Sequence, residues 1–265
     1  MWSPRLPQLR CPAAVWNQRD LIWRLSVRQV QGRYRGSALG WAWSLLTPLL
    51  MLAVYTFVFS SVFQARWGDL QQAGSLGFAI NLFAGLLAFN FFSETATQAP
   101  QLILANTNYV TKVIFPLETL AVVNVASASF HALTGLGVLM LFELIAVGGV
   151  PATLLWLPLV WLPLLLGCLA LSWILAALGV FLRDIGQMIG VATSMLMFLS
   201  AVFYPLSALP QQWQPVLSLN PLVTIIEQTR RVAVSGQHPD PTYLALGIPT
   251  SLMLCEQIGR ASCRE

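Results

Sequence analysis

Five long stretches of this chain contain no Asp, Glu, Lys or Arg, and no other feature constrains the fold as strongly. The longest holds 42 consecutive uncharged positions, and together they cover residues 36–65, 70–93, 119–142, 144–182 and 185–226. A helix needs about 20 apolar residues to cross a hydrocarbon core about 30 Å thick. Each stretch is long enough for one span, which predicts a polytopic membrane protein.

The composition excludes the soluble classes and points to helices. Only 14 residues are basic and 10 are acidic among 265, while 57% are hydrophobic. That is too little charge for the surface of a soluble globule or for a disordered chain. The apolar runs do not alternate with polar residues, as the strands of a barrel would. The predicted fold class is all-α, with five spans at about 39–63, 76–92, 120–147, 153–182 and 188–206.

The basic residues predict the orientation. Seven of the 14 lie in the first 35 positions, and the positive-inside rule therefore places this arm, residues 1–38, in the cytoplasm. Within the arm, residues 16–35 are predicted to form an amphipathic interface helix. Its apolar face would consist of Trp16, Trp23, Val27, Val30 and Tyr34. Such a helix is either a plain membrane anchor or an arm that also contacts a partner protein.

The segment after the second span, residues 94–118, is predicted to be a cytoplasmic loop. It contains Lys112, the only lysine of the chain. The loop is long enough for a short surface helix, which is the form of a docking element. The alternative is a plain connector.

The segment at 206–236 is predicted to face outward, and its pattern is amphipathic. Asn220 can cap a helix that begins at the following proline. Glu227 precedes Arg230 and Arg231 by three and four residues, a spacing that favours ion pairs. This pattern favours helices that dip into the outer interface and cap a pore, over an inert surface loop.

The sequence contains none of the usual catalytic or nucleotide-binding patterns. A P-loop needs glycines before its lysine, and Lys112 has none nearby. The four cysteines lack metal-ligand spacing. His131 and Glu143 lie within the third predicted span, where a lone histidine more often bonds a neighbouring helix than relays protons. No catalytic, cofactor-binding or metal residue is predicted, so any ATP would be bound by another subunit.

Aromatic side chains are concentrated in the first and fifth predicted spans. They can stack on sugar rings, or they can serve core packing and interface belts. An ion-coupled transporter, the alternative class, would usually show internal repeats and buried charges near the membrane centre, which the sequence does not. The aromatics considered are Trp41, Trp43, Tyr55, Phe59, Phe198, Phe203 and Tyr204.

Four groups of residues form an ordered set of motifs along the chain. They are RDLI at 19–22 with RYRGSALGWAWSLLTPLL at 33–50, KVIFPLE at 112–118, RDI at 183–185 with FYP at 203–205, and NPL at 220–222 followed by Glu227, Arg230 and Gly236. In this order they resemble the permease subunits of type 2 ABC exporters, in particular the group that exports lipid-linked polysaccharides such as O-antigen, capsule and teichoic acid.

The resemblance implies a six-helix permease in the bacterial inner membrane, with its N-terminus in the cytoplasm. It implies a homodimer that works with two ATP-binding cassette subunits, which bind the ATP and Mg. The substrate would be a polyprenyl-linked glycan of the O-antigen type, and membrane lipid but no nucleic acid would contact the chain. Capsule, teichoic acid or a small drug are the alternative cargoes, and an ion-coupled transporter is the alternative outside the family.

The resemblance also implies roles for particular residues. The ATPase would dock on Arg24, Arg28, Asn108, Tyr109, Lys112 and Phe115. The glycan would pass over the aromatics of the first and fifth spans. The outer gate would consist of Asn220, Pro221, Glu227, Arg230 and Arg231.

Three departures from the family pattern modify these expectations. Leu117 follows the loop proline where the family often has a basic residue. The sequence reads Ser-Ala-Val at 200–202, where the family has Ser-Pro-Val, which predicts a straighter fifth helix. The last apolar run, 243–255, has only 13 residues, too short for an ordinary span. The transmembrane domain is therefore assigned to 39–255 with a truncated sixth helix, and 256–265 to a non-native tail.

Overall fold

The computed structural model describes residues 18–58, 74–106, 117–146, 148–206 and 209–262, and every regular element in these ranges is helical. Short 3₁₀ turns flank several helices, at Gly40–Ala42, Ala99–Gln101, Leu104–Asn106 and Ala152–Trp156. The α-helices are α1 (Arg19–Tyr34), α2 (Trp43–Phe57), α3 (Gly74–Gln98), α4 (Glu118–Ala146), α5 (Leu157–Phe181), α6 (Ile185–Leu199), α7 (Gln214–Ser218), α8 (Pro221–Ala233) and α9 (Pro241–Ser262). The all-α prediction is confirmed.

Among the described residues, four helical segments are long and apolar enough to cross a membrane. They are Gly40–Phe57, Leu76–Gln101, Glu118–Ala146 and Ala152–Phe181, and they coincide with the first four predicted spans. The second is the most buried of the four within the protein. Helix α3, which forms most of it, packs against α2, α4, α5, α6 and α8. It is the central helix of the described structure.

The fifth predicted span is shorter than expected. Helix α6 ends at Leu199, and the backbone turns at Ala201 with a φ of 52°. The expectation that the missing proline straightens this helix is wrong, because the helix stops two residues before that position. A proline ring holds φ near −65° and could not adopt this left-handed turn. The residues after Leu199 instead enter a turn that meets α8.

Polar side chains join the central spans. The Asn124 amide on α4 donates to the Thr95 carbonyl of α3 at 3.0 Å and lies 3.4 Å from the Ser172 hydroxyl of α5. All three residues are buried. Hydrogen bonds between helices are a common means of association inside a membrane, where apolar burial discriminates little between protein and lipid.

Helix α9 is longer than the apolar run that predicted it. It extends over 22 residues, Pro241–Ser262, which corresponds to about 33 Å at 1.5 Å per residue. It packs along α5, where the Tyr243 hydroxyl donates to the Val160 carbonyl at 2.8 Å. The 13-residue run thus underestimated this helix. The assignment of 256–265 as a non-native tail stays a prediction.

Helix α1 packs through only part of the predicted face, the part that includes Val30. Its buried residues are Ser26 and Val30, and it lies against α4. Trp23, which was placed on the apolar face, is 72% exposed. Trp16 lies outside the described residues. The predicted face was derived from apolar side chains alone, whereas the packed face also carries polar residues that bond to the spans.

Candidate functional site

A cavity of about 450 Å³ lies between α2, α3 and α4, beside the end of α1. Its wall is mixed, with aromatic rings beside neutral polar and charged groups. The lining includes Arg33, Tyr34, Trp43, Thr47, Tyr55, Asn90, Ser93, Glu94, Thr97, Gln98, His131 and Thr134. Two of the predicted substrate-path aromatics, Trp43 and Tyr55, are among them. Aromatic faces with neutral polar groups can contact both the C–H surfaces and the hydroxyls of a sugar.

One carboxylate oxygen organises the charged part of this wall. Oε1 of Glu94 accepts from Arg33 Nη1 at 2.5 Å and lies 2.8 Å from His131 Nδ1. Gln98 Nε2 donates to the same oxygen at 3.2 Å. The three partners come from α1, α4 and α3 itself, so this group, hereafter the Glu94 cluster, joins three helices.

His131 takes part in this cluster through one ring nitrogen. Its Nδ1 lies 2.8 Å from Oε1 of Glu94, a carboxylate oxygen that can only accept, and 3.2 Å from Nη1 of Arg33. Nε2 is buried and has no hydrogen-bond partner among the described residues. Arg33 and Glu94 are the oppositely charged members of the cluster.

The predicted aromatics fall into two groups. Trp41 packs edge-on against Phe130 of α4, with ring centroids 5.8 Å apart, near the cavity that Trp43 and Tyr55 line. Phe198 and Phe203 stand 5.4 Å apart at the end of α6. Tyr204 donates its hydroxyl hydrogen to the Phe198 carbonyl in that second group. Phe59 lies outside the described residues.

The predicted outer-gate helix exists and is capped as expected. Oδ1 of Asn220 accepts from the Leu222 backbone at 3.0 Å, and Pro221 is the first residue of α8. The Asn220 amide also donates to the Ser200 hydroxyl at 3.0 Å, which ties the start of α8 to the turn after α6. The geometric prediction is confirmed, while the gating role stays a prediction.

Arg230 is buried rather than displayed on the outer surface. Its guanidinium donates to the carbonyls of Asn81, Ala201 and Val202, and lies 3.4 Å from a Glu227 carboxylate oxygen. This group is hereafter the Arg230 cluster. The side chain is 3% exposed, and the predicted role of Arg230 in an outer gate stays a prediction.

Glu227 and Gly85 lie beside the Arg230 side chain. The predicted ion pair with Glu227 is present, whereas Arg231 is exposed. Gly85 on α3 leaves the space that the guanidinium occupies, because an added Cβ would lie 2.7 Å from Nη2. The sequence spacing predicted the ion pair correctly, but it carried no information about the depth of the arginine.

The predicted docking residues are described only in part. Arg24 and Arg28 are exposed on α1, and Arg28 lines a groove of about 350 Å³ between α1, the 3₁₀ turns after α3 and the start of α4. Asn106, which also lines this groove, lies within the predicted docking loop, residues 94–118. The remaining four residues, Asn108, Tyr109, Lys112 and Phe115, lie outside the described residues.

Sequence reasoning missed Arg33 and Glu94 as site residues. Glu94 was assigned to the start of a loop because it ends a charge-free stretch, but α3 continues to Gln98. Consecutive spans pack as antiparallel neighbours, so an acidic residue on one span can reach a histidine on the next. Glu94 and His131 were therefore the signal that could have predicted this contact. The expectation that His131 bonds a neighbouring helix is confirmed.

Residues 20–233 match the profile of the ABC-2 type transporter family. The chain is 28% identical over 249 residues to the O-antigen export system permease protein RfbA of Myxococcus xanthus, covering 93% of this chain and 92% of the relative. It is 24% identical over 220 residues to RfbA of Klebsiella pneumoniae, covering 82% and 81%. It is 25% identical over 226 residues to the polysialic acid transport protein KpsM of Escherichia coli, covering 83% of each.

Proposed function

The chain belongs to the ABC-2 type transporter family, and on that premise we propose that it is the membrane subunit of an ATP-driven polysaccharide exporter. The observation that carries this proposal is the similarity, over most of the chain, to relatives named for O-antigen export. The proposed cargo is an O-antigen-type glycan on a polyprenyl lipid. The similarity to a polysialic acid transport protein favours capsule polysaccharide as the second candidate.

Energy would come from a partner subunit. The sequence has no P-loop, so the proposed complex contains two copies of an ATP-binding cassette subunit that hold the ATP and Mg. Arg24 and Arg28 are exposed beside the groove where the predicted docking loop leaves the described structure. The ATPase would bind this face from the cytoplasm of a bacterium, with the permease in the inner membrane and the N-terminus inside.

A second copy of the chain would complete the path. Helices α2 and α6 leave many large apolar side chains exposed, whereas α3 between them is largely buried. The exposed set includes Leu45, Leu49, Met51, Val54, Phe57, Met188, Val191, Met195 and Phe198. Exposed apolar surface in a membrane protein faces either lipid or another subunit. A homodimer would bring these faces together around a path for the glycan.

The cavity between α2, α3 and α4 suits a sugar chain. Trp43 and Tyr55 offer ring faces, and Asn90, Ser93 and Thr97 offer hydrogen-bonding groups without net charge. Many weak and similar contacts bind a repeating polymer without trapping it. This mixture of side chains therefore favours movement of the glycan along the cavity wall. We assign the cavity to the path of the glycan near the cytoplasmic side.

Reconstitution tests this proposal. The permease is purified with its partner ATP-binding cassette subunit and placed in vesicles with a polyprenyl-linked O-antigen. ATP should make the glycan inaccessible to an added glycosidase, and a Walker lysine substitution in the ATPase should abolish that effect. Repeating the assay with capsule polysaccharide in place of O-antigen shows which of the two candidate cargoes is exported. Glycan movement driven by an ion gradient without the ATPase would contradict the proposal.

A further inference from the structure

We infer that Arg33, Glu94 and His131 form a latch that transmits movement of helix α1 to spans α3 and α4. The inference rests on the proposed function, because it assigns these residues a role in coupling ATP hydrolysis to export. They are positioning residues, since none is proposed to contact ATP. The predicted docking residues Arg24 and Arg28 lie on the same helix as Arg33.

The first argument is the placement of the contacts on α1. Arg33 lies in the last turn of the helix and reaches Glu94 at 2.5 Å. One turn earlier, Gln29 Nε2 donates to Gln98 Oε1 at 3.3 Å. Residues four apart share a helix face, so α1 is joined to α3 by polar groups on two consecutive turns. A force applied to α1 would therefore reach α3 directly.

The second argument is the unequal exposure of the partners. The Arg33 side chain is 53% exposed, while those of Glu94 and His131 are 17% and 15% exposed. The guanidinium can leave into water without a large loss of solvation, because half of it is already hydrated. Glu94 would remain in place, held by the His131 and Gln98 donors. The contact is therefore suited to open and close.

The third argument is that all three members of the latch line the cavity assigned to the glycan. Withdrawal of Arg33 would leave the carboxylate of Glu94 uncompensated in a wall that also carries Trp43 and Tyr55. The same movement would break one of the two polar contacts that join α1 to α3. The latch thus connects the helix that bears the predicted docking residues to the wall of the substrate cavity through the carboxylate of Glu94.

The test measures ATP hydrolysis and glycan export in the same vesicles, with the complete complex. Arg33→Gln should keep the hydrolysis rate close to that of the native complex and lower the glycan exported per ATP about tenfold, the size of a typical coupling free energy. Arg33→Lys, which retains the charge, should recover part of the loss. The exchange Arg33→Glu with Glu94→Arg should recover more than either single substitution. Arg35→Gln, exposed and two residues away, is the matched control.

A second measurement tests movement without disturbing the charges. Gln29→Cys and Gln98→Cys, in a chain whose native cysteines are replaced by serine, are joined by a short thiol cross-linker. Export should stop on cross-linking and return on reduction if α1 must separate from α3. Unchanged export per ATP in Arg33→Gln, or full export by the cross-linked complex, would overturn the latch. A native complex that exports no glycan would instead contradict the proposed function.

Discussion

The two ends of helix α3 each receive an arginine from another helix, and the two arginines are held in different ways. Near the C-terminal end, Arg33 bonds a side-chain carboxylate and remains 53% exposed. Near the other end, Arg230 bonds three backbone carbonyls and a carboxylate and is 3% exposed. The first arrangement resembles a reversible contact, and the second a permanent joint between α3, α8 and the turn after α6.

The difference follows from the acceptors. A backbone carbonyl cannot move without the helix or turn that contains it, whereas a side-chain carboxylate can change rotamer or find another donor. A buried arginine that loses its acceptors has no water to replace them, while an exposed one has. The Arg230 cluster should therefore determine stability, and the Glu94 cluster should affect coupling more than stability.

The largest expected effect is at Arg230. Arg230→Gln should lower the free energy of unfolding by about 3–5 kcal/mol, the cost of removing one partner from a buried ionic network, because three carbonyls and Glu227 lose their donor. The measurement is denaturant unfolding in detergent. Arg231→Gln, at the next and exposed position, should change stability by less than about 0.5 kcal/mol. Equal losses in the two variants would contradict the description of Arg230 as a joint.

The next effect is at Gly85, which makes room for the same guanidinium. Gly85→Ala should destabilise by about 1–3 kcal/mol, as overpacking of a full core does. The cost should largely disappear in an Arg230→Gln background, because the clashing group is then shorter, and a double-mutant cycle measures this. Gly137→Ala on α4, where an added Cβ meets nothing within 4 Å, is the control and should be neutral or stabilising. Additive losses at Gly85 and Arg230 would show that the two do not share one space.

At the other end, Glu94→Gln should cost less. The expected loss is about 2 kcal/mol, within the net range for hydrogen bonds to a charged group, since the amide oxygen can still accept from His131. Arg33→Gln should cost about 1 kcal/mol or less, because a half-exposed pair contributes little. The same unfolding assay provides the comparison. A loss at Glu94 as large as that at Arg230 would remove the distinction between the two ends.

The spans could be predicted because each corresponds to a local sequence pattern. Charge-free stretches located four of the five predicted spans, and Asn220 followed by Pro221 marked the start of α8. The end of α6 could not be predicted, since the turn at Ala201 depends on carbonyls that face Arg230. The length of α9 was underestimated because hydropathy reports the apolar run and not the helix.

The sequence predicted which charged residues could pair along a helix, but not how deeply their side chains are buried. Spacing along one helix predicted the pair of Glu227 and Arg230. Burial of Arg230 depends on Gly85 and Asn81, which lie more than 140 positions away in the chain. The Glu94 cluster has the same origin, because its members come from three helices separated by 37 to 98 positions. No local pattern encodes contacts of that kind.

The smallest effects should come from the neutral hydrogen bonds beside each cluster. Asn220→Ala removes the cap of α8 and the bond to Ser200, and should cost about 1 kcal/mol, the usual value of a helix cap. Gln29→Ala removes one 3.3 Å bond to Gln98 at the opposite end and should cost about 0.5 kcal/mol, the lower limit for a neutral hydrogen bond. Unfolding midpoints of the two variants, measured side by side, test the order. A greater loss for Gln29→Ala would mean that α1 is fixed more firmly to α3 than α8 is to its turn, and α1 would then be a poor candidate for a moving part.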